Sequence, residues 1–366
     1  MSNHLYPLDN FPILLQIPTA AREEPCRMNT LVEEIRYLMN ERTTIVSSTG
    51  SYLPEKRVGN DDLTQFPREA IPLIAEKTGV RYRRVASDEE CTSDLAVHAA
   101  KKCLEKGGID PMQVAGIILA TSSPDRMQPA TATRVQNLLG AKRAFALDIN
   151  SVCSGSTFGI ALADGLIRSG QADRILLVAS EVYSRILNPK DYTTFPFFGD
   201  GAGAVLLRAG ARGEGGVLRS CLQTDGAGSD MICVPAGGTQ LPFGRMTNPR
   251  SAFFRMRGAD VFSFAVEKVP EIIRQLLADA GVSISEIRCF VCHQANANII
   301  YKIAEILDVP VERFFMNLFD YGNTAGASVL IALDEALTAG IIRRGDLVVT
   351  VAFGGGLSWG ANLIQM

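Results

Sequence analysis

From Thr43 onward, short apolar runs alternate with longer stretches in which apolar positions recur every three or four residues. The short runs predict buried strands at 114–121, 144–148, 174–180, 201–207, 287–292 and 347–353, with a further strand near Phe314 to Leu318. The longer stretches predict helices over Ser93 to Leu104, Phe262 to Ala280 and Val329 to Ala339. Alternation of this kind predicts an α/β fold.

The rhythm repeats. A helix followed by a strand, Ser93 to Leu104 and then 115–120, is matched by Phe262 to Ala280 and then 287–292. Similar spacings separate the later elements of each half. We read an internal duplication of a βαβ-type unit, with residues 43–217 as the first half and 218–366 as the second. Residues 1–42 carry Pro7, Pro12, Pro18 and Pro25 with mixed charge and read as an extension, partly helical at Leu31 to Met39. Equivalent strand ends meeting across the halves would gather ligands, as in other open α/β sheets.

Composition narrows the function. The chain has 366 residues, 47% hydrophobic and 20% charged, with net charge −3. Nucleic-acid binding is not expected, because phosphate contacts need a basic excess. No apolar run reaches the roughly 18 residues that would span a bilayer. Phe11-Pro12-Ile13-Leu14-Leu15 is too short and proline-broken for a leader, so a cytosolic location is expected. The eight cysteines do not form the framework of a small secreted domain. Cys289 and Cys292 have CxxC spacing, but no second pair accompanies them and their apolar filling reads as a buried strand, so no metal site is expected.

Four motifs carry candidate chemistry. In Asn150-Ser-Val-Cys153-Ser-Gly155, a strand ends and a helix begins around the cysteine. Free N–H groups and the dipole at a helix start favour a thiolate, and a tight strand–Cys–helix turn presents a nucleophile. By itself the turn equally suits a small buried cysteine. His293, in Val291-Cys-His-Gln-Ala-Asn296, ends an apolar strand; the other histidines lie in the tail (His4) and mid-helix (His98). Asn323, in Tyr321-Gly-Asn-Thr-Ala-Gly-Ala-Ser328, opens a helix and alone reads as a cap. Phe353-Gly354-Gly355-Gly356 follows the last long apolar run, where bare backbone N–H groups can face a ligand oxygen or simply make a turn.

In this order the motifs resemble the β-ketoacyl-acyl carrier protein synthase III family, within the thiolase-like condensing enzymes. The resemblance continues in Gly50-Ser-Tyr-Leu-Pro54, Glu76 to Arg81 and Phe198 to Val205, and covers residues 43–366. It implies a thiolase-like fold of two duplicated halves in five α-β-α-β-α layers. It implies that Cys153 takes an acyl group from a thioester, with the N–H groups of Cys153 and Gly355 as oxyanion hole. His293 and Asn323 would then support decarboxylation of a malonyl thioester, in ping-pong order and without a cofactor. The substrates implied are thioesters of coenzyme A and of acyl carrier protein, the carrier being the partner. The reaction implied is chain initiation in fatty-acid synthesis; a specialised-metabolism synthase with a non-acetyl donor, or acyl transfer to an alcohol or amine, are the alternatives. A homodimer is implied, with the Asp125 to Pro129 loop lining the neighbour's pocket.

Asn296, Phe353, Met127, Gln128 and Tyr192 are the expected substrate-binding residues. Several positions depart from the family pattern. Leu73 and Tyr192 stand where a Trp–Arg clamp often holds adenine. Asn298 and Ser263 replace frequent basic residues. Met127-Gln128 holds the place of an aromatic gate, and Ser156-Thr157 replaces Phe-Thr. These departures predict an altered donor: an acyl group other than acetyl, or delivery by a carrier protein.

Overall fold

The computed structural model describes residues 42–366. The extension expected over 1–42 lies outside the described residues except for Arg42, which already belongs to the first strand.

In chain order the strands are β1 (Arg42–Tyr52), β2 (Lys56–Gly59), β3 (Tyr82–Val85), β4 (Gly116–Ala120), β5 (Phe145–Ile149), β6 (Arg174–Glu181), β7 (Gly201–Ala211), β8 (Gly216–Thr224), β9 (Ile232–Cys233), β10 (Arg255–Met256), β11 (Ile287–Cys292), β12 (Leu347–Gly354) and β13 (Ser358–Gln365). The helices are α1 (Ile71–Thr78), α2 (Thr92–Gly107), α3 (Thr131–Leu139), α4 (Gly155–Arg168), α5 (Gly258–Ala280), α6 (Ala297–Leu307), α7 (Leu318–Tyr321) and α8 (Ser328–Thr338).

Two sheets have the same plan. The first runs β1-β7-β6-β4-β5 and the second β8-β13-β12-β11. In each, two antiparallel pairings are followed by parallel ones: β1 with β7, β7 with β6, then β6 with β4 and β4 with β5; β8 with β13, β13 with β12, then β12 with β11. The parallel strands β4 and β6 are buried on both faces, which explains their unbroken apolar runs.

Helices α4 and α8 lie between the sheets and touch strands of both. Accordingly α8 is buried over most of its circumference. Outside, α2 and α3 cover the first sheet, and α5 covers the second with α6 packed on it. The arrangement is the five-layer, thiolase-like fold.

The layers come close. A Cβ on Gly203 of β7 would lie 2.6 Å from the Leu330 Cβ and 2.7 Å from the Ile331 nitrogen, so only glycine lets α8 seat there. Asp334 of α8 accepts hydrogen bonds from Thr49 and Ser51 of β1 and pairs with Lys106 of α2 at 2.8 Å.

One predicted strand is corrected. Phe314 makes a single parallel bridge to Phe290, in the place β5 holds in the first sheet, and the chain then turns into α7. The polar Asn317 draws it away: its N–H donates to the Gln294 side chain and its amide to Glu335. Cys289 and Cys292 are buried and unpaired within β11.

Candidate active site

The two halves enter their central helices through the same kind of turn. Asn150 Oδ1 accepts from the Val152 N–H at 3.3 Å, and Asn323 Oδ1 accepts from the Ala325 N–H at 2.8 Å. Val152 and Ala325 both have left-handed φ, 47° and 46°. A 3-10 turn follows in each, over Val152–Ser154 and Ala325–Ala327, and then α4 or α8 begins. A β-branched residue at positive φ is strained, and such strain concentrates at functional turns.

These turns pack against each other. The Ser156 hydroxyl donates to the Gly326 carbonyl. A Cβ on Gly326 would lie 2.9 Å from the Val152 oxygen. From the other side, a Cβ on Gly354, at the end of β12, would lie 2.7 Å from the Cys153 nitrogen and 2.9 Å from its Cβ. One residue earlier, the Phe353 ring meets the His293 ring edge to face at 5.3 Å. The His293 N–H donates to Val351 of the same strand. Cys153, His293 and Asn323 are all buried, and the end of β12 and the turn at 325–327 tie their segments into one site.

Each candidate has a distinct electrostatic state. Burial pushes the Cys153 thiol well above its ordinary range, and the Glu181 carboxylate adds to the effect. Desolvation of this enclosed sulfur opposes the thiolate that the helix start favours. Burial lowers His293 to about 3, so its imidazole is neutral.

Its Nδ1 lies 2.7 Å from Ser328 Oγ, which also accepts from the Gln294 N–H. Directing the serine hydrogen to Nδ1 assigns the imidazole hydrogen to Nε2, an assignment from the network. Asn323 uses Oδ1 for its cap, leaving Nδ2 without a hydrogen-bond partner among the described residues. The Gly355 N–H likewise has no hydrogen-bond partner among them, and that glycine packs on Val152 and Ile232. The site thus offers one buried sulfur and several neutral donors. Among the described residues no group of three or more His, Cys, Asp or Glu is placed to hold a metal.

The remaining substrate candidates divide. Phe353 lies in the core cluster with Cys153. Met127 is 75% exposed on its loop, followed by Gln128. Tyr192 is held elsewhere: its hydroxyl donates to Ala70 and its ring packs edge-on against Phe66. Asn296 caps α6, and its amide donates to Lys77 of α1.

Sequence reasoning passed over Glu181. It ends β6 fully buried, near enough to Cys153 to raise its thiol, and is itself raised to about 7 by burial despite its many hydrogen bonds. Its signal was a lone acid closing an apolar strand at the ligand-gathering edge. Tyr183, two residues on, is also buried and stacks on Phe198 at 5.0 Å, while Phe254 meets both rings edge to face.

Twin sheets with their chemistry gathered at the seam, a cysteine on one side and neutral donors on the other, make this a thiolase-like condensing acyltransferase. Residues 147–226 match the family model of 3-oxoacyl-[acyl-carrier-protein (ACP)] synthase III, and residues 277–366 match the model of its C terminal. The chain belongs to the β-ketoacyl-[acyl-carrier-protein] synthase III family.

It is 42% identical over 322 residues to β-ketoacyl-[acyl-carrier-protein] synthase III 3 of Streptomyces coelicolor, covering 87% of this chain and 96% of the relative. It is 39% identical over 320 residues to the synthase III of Clostridium acetobutylicum, covering 87% and 98%. The crystal structure of the 3-oxoacyl-(acyl carrier protein) synthase III of Pseudomonas aeruginosa superposes with a TM-score of 0.81 at 38% identity, covering 88% of this chain and 98% of that one.

Proposed function

We propose that the chain condenses an acyl thioester with malonyl-acyl carrier protein, the initiating step of fatty-acid synthesis, through an acyl-Cys153 intermediate. The supporting observation is the unengaged pair of donors, His293 Nε2 and Asn323 Nδ2, in the same enclosed site as a buried cysteine.

Cys153 Sγ attacks the donor carbonyl; its bond to carbon forms, the donor's carbon–sulfur bond breaks, and the released thiol carries the proton. The Cys153 and Gly355 N–H groups face the oxyanion. The malonyl thioester then binds with its carbonyl oxygen toward His293 Nε2 and Asn323 Nδ2. As the carboxylate leaves as carbon dioxide, its electron pair forms an enolate that these donors stabilise. The enolate carbon attacks the acyl carbonyl, and Cys153 sulfur departs as a thiolate that takes a proton from solvent to restore the thiol. A neutral imidazole suits this role, because it keeps its hydrogen and donates it only as a hydrogen bond. Transfer to an alcohol or amine needs no enolate and would leave the Asn323 donor without a task.

The carrier protein is the proposed partner, and no cofactor is required by these steps. A homodimer is also proposed, supported by the exposed Met127 on the loop expected to reach a neighbour; a monomer in solution overturns it. The altered clamp and gate positions support a donor other than free acetyl-coenzyme A.

The test is carbon dioxide release from malonyl-carrier protein with a panel of acyl donors. Cys153→Ala should lose the acyl mass shift and product. His293→Ala and Asn323→Ala should keep acylation but lose about 10²–10³-fold in condensation, the scale of losing a positioned donor. Product formation by Cys153→Ala at the wild-type rate would sink the reading.

A further inference from the structure

Glu181 accepts from Ser122 N–H at 3.1 Å and Ser122 Oγ at 2.9 Å through Oε1. Its Oε2 accepts from Ser123 N–H at 3.1 Å, Ser123 Oγ at 2.5 Å and Thr121 Oγ1 at 3.3 Å. No salt bridge to it is present among the described residues. Only a carboxylate offers this much acceptor capacity with no donor to misplace. Burying one is costly unless every lone pair is used, as here.

The hydrogen bonds continue. Ser122 Oγ lies 2.9 Å from the Tyr183 hydroxyl. Since Ser122 gives its single hydrogen to Glu181, Tyr183 is the donor, and the order runs Tyr183 to Ser122 to Glu181. Tyr183 belongs to the core cluster of Cys153, with Phe198 and Phe254. Phe198 is bridged to Asn323, and Phe254 also lines a cavity of about 740 Å³ with Asn188, Lys190, Arg250 and Arg255. The carboxylate also lies under the Asn323 turn, since a Cβ on Gly326 would be 3.0 Å from Oε1.

We infer that Glu181 is a positioning residue: by anchoring Ser122 it fixes the Tyr183 ring as a wall before Cys153 and so limits the acyl group the site accepts. The inference rests on the proposed acylation of Cys153. The titratable groups facing Glu181 are Cys153, from the nucleophile turn, and Tyr183, from the segment after β6. The 121–123 turn and Gly326 contribute none. With Tyr183 released, its ring can swing and admit a longer chain.

The experiment measures the mass shift on Cys153 with donors of graded length, beside melting temperature. Ser122→Ala and Tyr183→Phe each cut one link. Each should raise the ratio of long-donor to short-donor acylation about tenfold, the scale of one buried hydrogen bond. Glu181→Gln, which places an amide donor against Ser122, should raise the same ratio in folded protein. A purely structural role would lower the melting temperature without changing the preference among donors.

An unchanged donor ratio in either Ser122→Ala or Tyr183→Phe overturns the inference, since the link passes through both hydroxyls. So does an unchanged donor ratio in folded Glu181→Gln protein. A wild-type protein that takes up no acyl group on Cys153 sinks the proposed function instead, which separates the two failures.

Discussion

The nucleophile turn and the Asn323 turn share an asparagine cap, a left-handed residue, a 3-10 turn and a following helix, yet only one carries a reactive side chain. Where the first has Cys153, the second has Gly326. The difference lies in how the two are packed. Gly326 is pressed against the Val152 carbonyl and the Glu181 carboxylate, with no room for a Cβ. The second turn therefore gives up a side chain so that the first can be held, and its contribution shifts to the cap itself, Asn323. On the proposed mechanism the same structural device carries the nucleophile on one side and a hydrogen-bond donor on the other.

The strongest way to break this comparison is to add one methyl group. Gly326→Ala should push on Val152 and displace Cys153, reducing carbon dioxide release about a hundredfold, the scale of a misplaced reacting group. Wild-type activity in that variant would show that the turns are not interlocked.

A smaller effect tests the buried histidine that faces the second turn. Its folded value near 3 lies below the ordinary 6.5, so the unfolded chain binds the proton more readily between those values. Stability should be intact above pH 6.5 and fall as pH drops toward 3, with a slope of at most about 1.4 kcal/mol per pH unit from this group. His293→Gln should flatten that limb in denaturant titrations; an unchanged slope would contradict the depressed value.

The smallest effect separates the two caps. Asn150→Ala should lower stability by about 1 kcal/mol, an ordinary cap loss. Its condensation rate should fall far less than that of Asn323→Ala. Equal activity losses would mean that Asn323 acts only as a cap.

Much of this was legible in the chain. The apolar runs at 116–120, 174–181, 287–292 and 347–354 marked strands because each is buried on both faces. β13 left no such mark. It contains Gly360 and Asn362, and Asn362 is tolerated at the centre of the sheet because its amide reaches Thr157 and Thr350. The run at Phe314 promised a strand and yielded one bridge, since Asn317 binds elsewhere.

Their local motifs and their order singled out Cys153, His293 and Asn323 as candidates. The burial of the Cys153 thiol was not legible there, because it depends on neighbours far along the chain. The contacts of Tyr192 likewise come from a distant segment: its hydroxyl donates to Ala70 and its ring meets Phe66 edge-on.

The glycine at 326 also bears on ancestry. If the halves descend from one repeated unit, an early form had identical turns on both sides of the seam. Once one turn closed over the other, restoring a cysteine at 326 required Val152 to retreat, which unseats Cys153. The division of labour between the repeats is thus a one-way ratchet, and a single substitution does not lead back to two equivalent halves.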